Sequence, residues 1–331
     1  MFSKRLALVL LLTTSLISSC AVIDKIIPDP VPTNALSGRE GTNGPLLVVK
    51  IDDTNSARPQ IGLEDADVVY IEQVEGGLTR LAAVFSSRIP IRVGPVRSAR
   101  ISDIEIMSQY GRVAFAYSGA QKKLLPVISA ANVQDLGAQR QSPTIYTTDP
   151  SRNQPYAMVL RADLLMQKII DSSYVVDSAK TIGFIFGEKP VGGIATETVE
   201  VNWPAARYQG QWSSQENRWL LSHNGSINVA DSGIVLGPTT FIIQMVSITP
   251  SEYGDKFGGV TPFSQTIGTG KAYVLRDGER FETTWNRAFA DSGTTFTMAD
   301  GSQLNFAAGQ IWVALTDREP IFTSPISDES K

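Results

Sequence analysis

Residues 68–86 read VVYIEQVEGGLTRLAAVFS. Two runs rich in β-branched and aromatic residues, Val68 to Glu75 and Leu78 to Ser86, flank Gly76-Gly77. That pattern predicts a β-hairpin. A two-residue turn would set Glu75 opposite Leu78, Val74 opposite Thr79 and Gln73 opposite Arg80. Period-two alternation would then place Glu75 and Arg80 on one face as a diagonal pair, with Glu72 on the other. Charges are seldom buried unless paired. The density of Asp52, Asp53, Arg58, Glu72, Glu75, Arg80, Arg97 and Arg100 around this hairpin therefore marks either a salt-bridge network or a polar binding site.

Upstream, Leu46 to Ile51 is a short apolar run after Pro45, the signature of a buried strand. It ends in Asp52-Asp53-Thr54-Asn55, residues that favour Asx turns. The same oxygens would suit Mg or Ca, but Asx turns account for them, and no metal is expected. Downstream, Val93-Gly94-Pro95 turns the chain, and Ile101, Ile104 and Met107 have helical spacing. Arg97 and Arg100 would lie at the start of that helix, where a cation is unfavourable beside the dipole unless an anion or carboxylates share the spot. Val113 to Tyr117 reads as a strand, and Gln121 to Ala131 as a helix interrupted at Pro126. Ala157 to Ile170 reads as the clearest helix, with Leu160, Leu164, Leu165 and Ile169 on its buried face.

Beyond about residue 190 the character changes. Val199 to Trp203, Arg218 to Leu221, Thr240 to Val246, Lys271 to Leu275, Thr294 to Met298 and Gln310 to Leu315 are short β-rich runs. They are separated by turns such as Arg276-Asp277-Gly278 and Ala299-Asp300-Gly301, which indicates antiparallel sheet. The expected fold class is α+β: a mixed α/β domain over residues 46–189, then a mainly antiparallel β domain over residues 190–318. A frayed tail is expected over residues 319–331.

At the N-terminus, Lys4 and Arg5 precede an apolar run from Leu6 to Leu12, then Ile17-Ser18-Ser19-Cys20. This predicts a signal peptide over residues 1–19 that is too short in its apolar part to span a bilayer. Cys20, the only cysteine, falls where a bacterial lipobox places its lipidated residue, which also accounts for an unpaired cysteine in a secreted chain. Lipid on Cys20 would be the membrane anchor. Residues 20–45, with Pro28, Pro30, Pro32, Gly38, Gly41 and Gly44, read as a tether. The formal charge of −4 becomes about −6 without Lys4 and Arg5, which argues against a nucleic-acid protein.

The chemistry open to the chain is narrow. His223 is the only histidine, and beside Asn224-Gly225 it reads as a surface turn residue. One histidine and an acylated cysteine leave no Ser-His-Asp or Cys-His device and no zinc site of those ligands. No Walker loop and no Gly-x-Gly-x-x-Gly opens a helix, and no cofactor is expected. Asp52, Glu72 and Glu75 include candidates for an acid and base pair of the glycosidase kind. Arg58, Arg80, Arg97, Arg100 and Arg152 outnumber the carboxylates near them, and guanidinium forks in a cleft suit carboxylate or phosphate groups. Tyr70, Tyr117, Tyr146 and Tyr156 add amphipathic surface for sugars or peptides.

Ala57-Arg58-Pro59-Gln60-x-Gly62-Leu63, Val74-Glu75-Gly76-Gly77-x-Thr79-Arg80 and Gly94-Pro95-Val96-Arg97-Ser98-Ala99-Arg100 resemble the YerB-like lipoproteins, as do Asp52 and Ala66-Asp67. Gly268-Thr269-Gly270, Arg276-Asp277-Gly278, Thr284-Trp285 and Gly309-Gln310-x-Trp312 resemble that family's C-terminal β domain. The resemblance covers most of the chain after residue 45. It implies a lipid-anchored envelope protein with an α/β domain followed by a β domain, and it brings no established activity. Many members have a histidine where Tyr117 stands and another near Arg152, Pro155 and Tyr156; neither occurs here. The expected site is thus a binding cleft of Asp52, Arg58, Glu72, Glu75, Arg80, Arg97, Arg100, Tyr117, Arg152 and Tyr156 for an anionic cell-wall glycan or peptide. A carboxylate-dependent hydrolase or lyase, and a scaffold for envelope proteins, are the alternatives.

Overall fold

The first hairpin sets the arrangement of everything near the site. In the computed structural model, which describes residues 31–255 and 258–325, the expected signal peptide and Cys20 lie outside the described residues. Three neighbouring strands, β1 (Leu47–Asp52), β2 (Val68–Gln73) and β3 (Thr79–Phe85), pair in the order β2-β3-β1. The connection between β2 and β3 is longer than two residues. It runs from Val74 to Leu78 and is closed by the Val74 N–H donating to the Leu78 carbonyl at 2.8 Å. Gly76 and Gly77 both take positive φ, 69° and 73°, which glycine adopts without steric cost.

The longer turn moves the register by one residue from the expected hairpin, to Glu72 opposite Arg80 and Gln73 opposite Thr79. A one-residue slip exchanges the faces of a strand. Glu72 therefore lies on the face of Arg80, not on the opposite one. Arg80 is also opposite Asp52 on β1, so Glu72, Arg80 and Asp52 form one row across three strands. Lys50 lies one row further along the same face, opposite Ala82.

The three strands sit inside one large mixed sheet. Its order is Thr295–Thr297, Glu279–Arg287, Gly268–Arg276, Thr240–Met245, Ile311–Thr316, β2, β3, β1, Val113–Ala116 and Val133–Asp135. Ile311–Thr316 pairs in parallel with both β2 and Thr240–Met245. The sheet is therefore continuous across the boundary expected near residue 190. Both faces of its centre are covered, which accounts for the near-continuous apolar runs of β1 to β3. One face carries the helix Ile101–Ser108 with Ile106 and Met107 buried. The other packs Val49, Ile51, Ile71 and Trp312 against Val199, Trp203, Tyr208 and Trp219 of a second, five-stranded antiparallel sheet.

The described chain is mainly β. The helix expected from Ala157 is half strand: Met158–Arg161 pairs with Tyr146–Thr148 and Arg92–Val93, and the helix is Ala162–Asp171. Leu160 is accordingly a buried strand residue, Leu165 and Ile169 face the core, and Leu164 is exposed. A short apolar run is ambiguous between strand and helix, and sheet pairing decided it. The expected helix from Gln121 shrinks to Leu125–Ala130, with Pro126 in its first turn. Two segments expected to be loose are ordered. Leu36 is fully buried and Ser37 Oγ donates to Asp67 Oδ1 at 2.6 Å, so the described end of the tether packs on the body. Ile321–Thr323 pairs with Thr198–Glu200 within the stretch expected to fray.

Candidate functional site

A cleft of about 740 Å³ opens where the β2–β3 turn, the segment Arg97–Ile101 and the hairpin strands Ile248–Gly254 and Val260–Ser264 meet. Asp52, Glu75, Arg80, Arg97 and Arg100 line it, and so do Lys122, Lys123 and Asp255. Among the described residues five cations thus face three carboxylates, in a chain whose formal charge is −4. The start of the helix at Ile101 lies in the same wall. Its first backbone N–H groups lack intrahelical partners and carry the positive end of the dipole.

The ionic pairing inside this cleft is unequal. Arg97 Nε is 2.6 Å from Asp52 Oδ2, and its guanidinium lies over the Tyr156 ring, 5.8 Å from the centroid. Asp52 Oδ1 accepts from the Thr54 N–H at 2.8 Å and from Thr54 Oγ1 at 2.6 Å, the Asx turn expected there. Arg100 donates to Glu75 Oε2 through Nε at 2.9 Å and Nη2 at 2.7 Å, and Thr261 Oγ1 donates to the other carboxylate oxygen. Burial pushes the Glu75 carboxyl up, but the Arg100 hydrogen bonds and charge outweigh it and hold the group below its ordinary range.

Arg80 differs from both. It is 8 % exposed and donates through Nη1 to the Ser98 carbonyl at 2.8 Å. No carboxylate lies within 4.0 Å of it among the described residues. Burial, reinforced by Arg100 and Arg97, lowers its pKa to about 9 even with Asp52 and Glu75 nearby. A buried cation with one carbonyl partner is costly, and its remaining donors are available to an acceptor in the cleft.

Glu72, the carboxylate that sequence leaves without a role, is not in the cleft lining. Fully buried Lys50 donates to Glu72 and, at 2.7 Å, to Asp103 Oδ1. Asp103 in turn accepts from the Arg100 N–H at 2.7 Å, which closes the first turn of the helix. Burial draws the Lys50 ammonium below its ordinary range against the pull of Asp103. This triad fastens the helix to the sheet directly beneath Arg80 and Arg100. Strand periodicity makes Lys50 a visible anomaly in LVVKID, but its partners come from 22 and 53 residues away.

On the other side of the sheet, Asp53 organises a second cluster. Its carboxylate accepts from Tyr208 Oη at 2.6 Å, Arg58 Nη2 at 2.7 Å and Thr79 Oγ1 at 2.5 Å. Arg58 also donates to Asn228 Oδ1 at 2.8 Å and to His223 Nδ1 at 3.2 Å. His223 is 2 % exposed, packed edge-on against Tyr208, so it is a buried residue and not a surface turn. Burial lowers its pKa to about 4, with Asp53 opposing and Arg58 reinforcing the shift. Arg58 thus stands outside the cleft, joining the first strands to the five-stranded sheet.

The remaining expected site residues also have structural partners. Tyr117 Oη donates to Asp135 Oδ1 at 2.9 Å beneath Phe115. Arg152 donates to the carbonyls of Ala57 and Pro59, at 2.9 and 2.5 Å, and pins the Arg58 loop. Tyr156 supports Arg97 from behind. Of the ten expected residues, Asp52, Glu75, Arg80, Arg97 and Arg100 line the cleft, and Arg58, Glu72, Tyr117, Arg152 and Tyr156 do not. Lys122, Lys123, Tyr253, Asp255 and Thr261 also line it and were not expected from sequence. The adjacent pair Lys122-Lys123 was the one legible signal.

Residues 33–175 match the N-terminal domain, and residues 199–313 the C-terminal domain, of the family described as protein of unknown function (DUF3048). The chain belongs to this family. Over 81 residues it is 37 % identical to a Bacillus subtilis protein named "Putative lipoprotein YerB", a match that spans 24 % of each chain. The crystal structure of the YerB protein from Bacillus subtilis superposes with a TM-score of 0.75, covering 88 % of this chain and all of that one at 19 % identity. The fold is therefore that of the family, and the five cleft residues fall within its N-terminal domain.

Proposed function

We propose that this protein is a lipid-anchored protein of the bacterial envelope, held at the outer face of a membrane through Cys20, which binds an anionic cell-wall fragment in the Arg80 cleft. Arg80 carries the reading. Among the described residues it is a buried guanidinium without a carboxylate within 4.0 Å, in a cleft where cations outnumber anions. A carboxylate arriving there accepts from Arg80 and relieves its repulsion with Arg97 and Arg100. Peptidoglycan fragments carry carboxylates on their peptides, and a tethered protein meets them. The relative's name and the Ser18-Ser19-Cys20 sequence support the anchor.

Two features weigh against the carboxylate-dependent hydrolase or lyase. Glu75 is held ionised by Arg100, which is the wrong state for a general acid. Glu72 is fully buried against Lys50 and does not line the cleft. The test is a calorimetric titration of purified disaccharide-peptide fragments against wild type and Arg80→Leu. The expected result is saturable binding by wild type that weakens at least tenfold in the variant, about 1.4 kcal/mol. Equal binding by the two proteins, or none by wild type, would contradict the proposal.

A further inference from the structure

The Val74–Leu78 turn borders more than the Arg80 cleft. A groove of about 270 Å³ lies on its Gly76-Gly77 side, walled by Pro204, Pro250 and Pro262 together with Ile248 and Val260. Val74 lines both the cleft and the groove. The two compartments are therefore contiguous across one turn, and they differ in chemistry: one is cationic, the other walled by aliphatic and proline surface with Gln73, Thr249, Asp317 and Arg318 also in its lining. The turn forms a low ridge between them. Gly76 leaves open space where a side chain would project, and Gly77 is seated so closely on Pro204 that a Cβ would come within 2.4 Å of it. Leu78 is 39 % exposed and lies on the cleft side of that ridge.

Resting on the reading of the cleft given above, the geometry points to an acidic peptide as the occupant of both compartments. One of its carboxylates meets Arg80, and the apolar residues beside it cross the ridge into the proline-walled groove. The chemistry of the walls selects a peptide over an acidic glycan. Among the described residues the groove lining has no aromatic ring on which a sugar could stack. Aliphatic and proline surfaces instead suit apolar side chains, with a few polar groups to fix orientation. Gln73, Asp317 and Arg318 at the groove supply such groups: the amide and guanidinium can donate to peptide carbonyls, and the Asp317 carboxylate can accept from a peptide N–H.

The test is calorimetry at low salt with glutamate, and with tripeptides and pentapeptides of leucine and alanine that carry glutamate at either end. Hexagalacturonate serves as the acidic glycan. The expected result is affinity that rises at least tenfold from glutamate to a pentapeptide of one polarity. Thr249→Trp, which fills the groove from an exposed strand position, is expected to remove that gain and leave glutamate binding unchanged. Affinity independent of peptide length, a gain that survives in Thr249→Trp, or tighter binding of hexagalacturonate would overturn the inference while leaving the anion cleft standing. Failure of every probe to bind would defeat the cleft itself.

Discussion

Asp52 and Asp53 are adjacent in sequence and face opposite sides of the sheet, and each is paired with an arginine. The Asp53 side holds only a small pocket, of about 140 Å³, and its charges are matched. Its carboxylate accepts from three side chains, and Arg58 continues to Asn228 and His223. The Asp52 side opens on a larger cleft, where the pairs Asp52–Arg97 and Glu75–Arg100 flank Arg80, which has no such pair among the described residues. The same residue types thus serve a fastening role on one side and leave a surplus positive charge on the other. What separates them is charge balance and the size of the opening, since the sequence places an aspartate and an arginine in each.

The largest expected effect breaks the Asp53 side. Asp53→Ala leaves Arg58, Tyr208 and Thr79 with buried donors unpaired, and urea unfolding should show a loss of about 3–5 kcal/mol. Next is the pH response of the same cluster. The folded pKa of His223 lies at about 4 against an ordinary value of 6.5. Between those values the unfolded chain binds the proton and the folded chain does not, so stability falls as pH drops from 6.5 to 4. The loss attributable to this group is on the order of 3 kcal/mol. As the chain has one histidine, its imidazole NMR signal should titrate near pH 4; a midpoint near 6.5 would show a solvated ring. The smallest effect belongs to the cleft rim. Lys122 and Lys123 are exposed, and replacing both by alanine should change stability by less than about 0.5 kcal/mol, while weakening binding of anionic fragments and flattening its salt dependence.

Much of this arrangement was readable from the chain, and the failures have physical causes. β1, the strand character of residues 68–86, the helix from Ile101 and the C-terminal strands follow from apolar spacing and turn dipeptides. The hairpin register did not follow, because two successive glycines permit a five-residue turn as readily as a two-residue one, and a single step exchanged the faces of Glu72. His223 misled for a similar reason: Asn224-Gly225 does form a turn, but Tyr208 and Arg58 cover the ring from distant parts of the chain. The cleft set was half legible. Arg97 and Arg100 beside a helix start, with Glu75 and Arg80 in the hairpin, marked the place. Whether each charge was satisfied depended on contacts between distant residues, such as Lys50 with Asp103 and Glu75 with Thr261, that no local pattern encodes.

Melting of wild type and Arg80→Leu, with and without a saturating disaccharide-peptide fragment, addresses the contrast between the two sides most directly. Without ligand, Arg80→Leu should melt at or above the wild-type temperature, because the substitution removes a buried charge that has no carboxylate within 4.0 Å among the described residues. With the fragment, only wild type should gain stability, in proportion to its occupancy. A large drop in melting temperature for Arg80→Leu without ligand, of the size expected for Asp53→Ala, would show that Arg80 fastens the fold and would contradict the account.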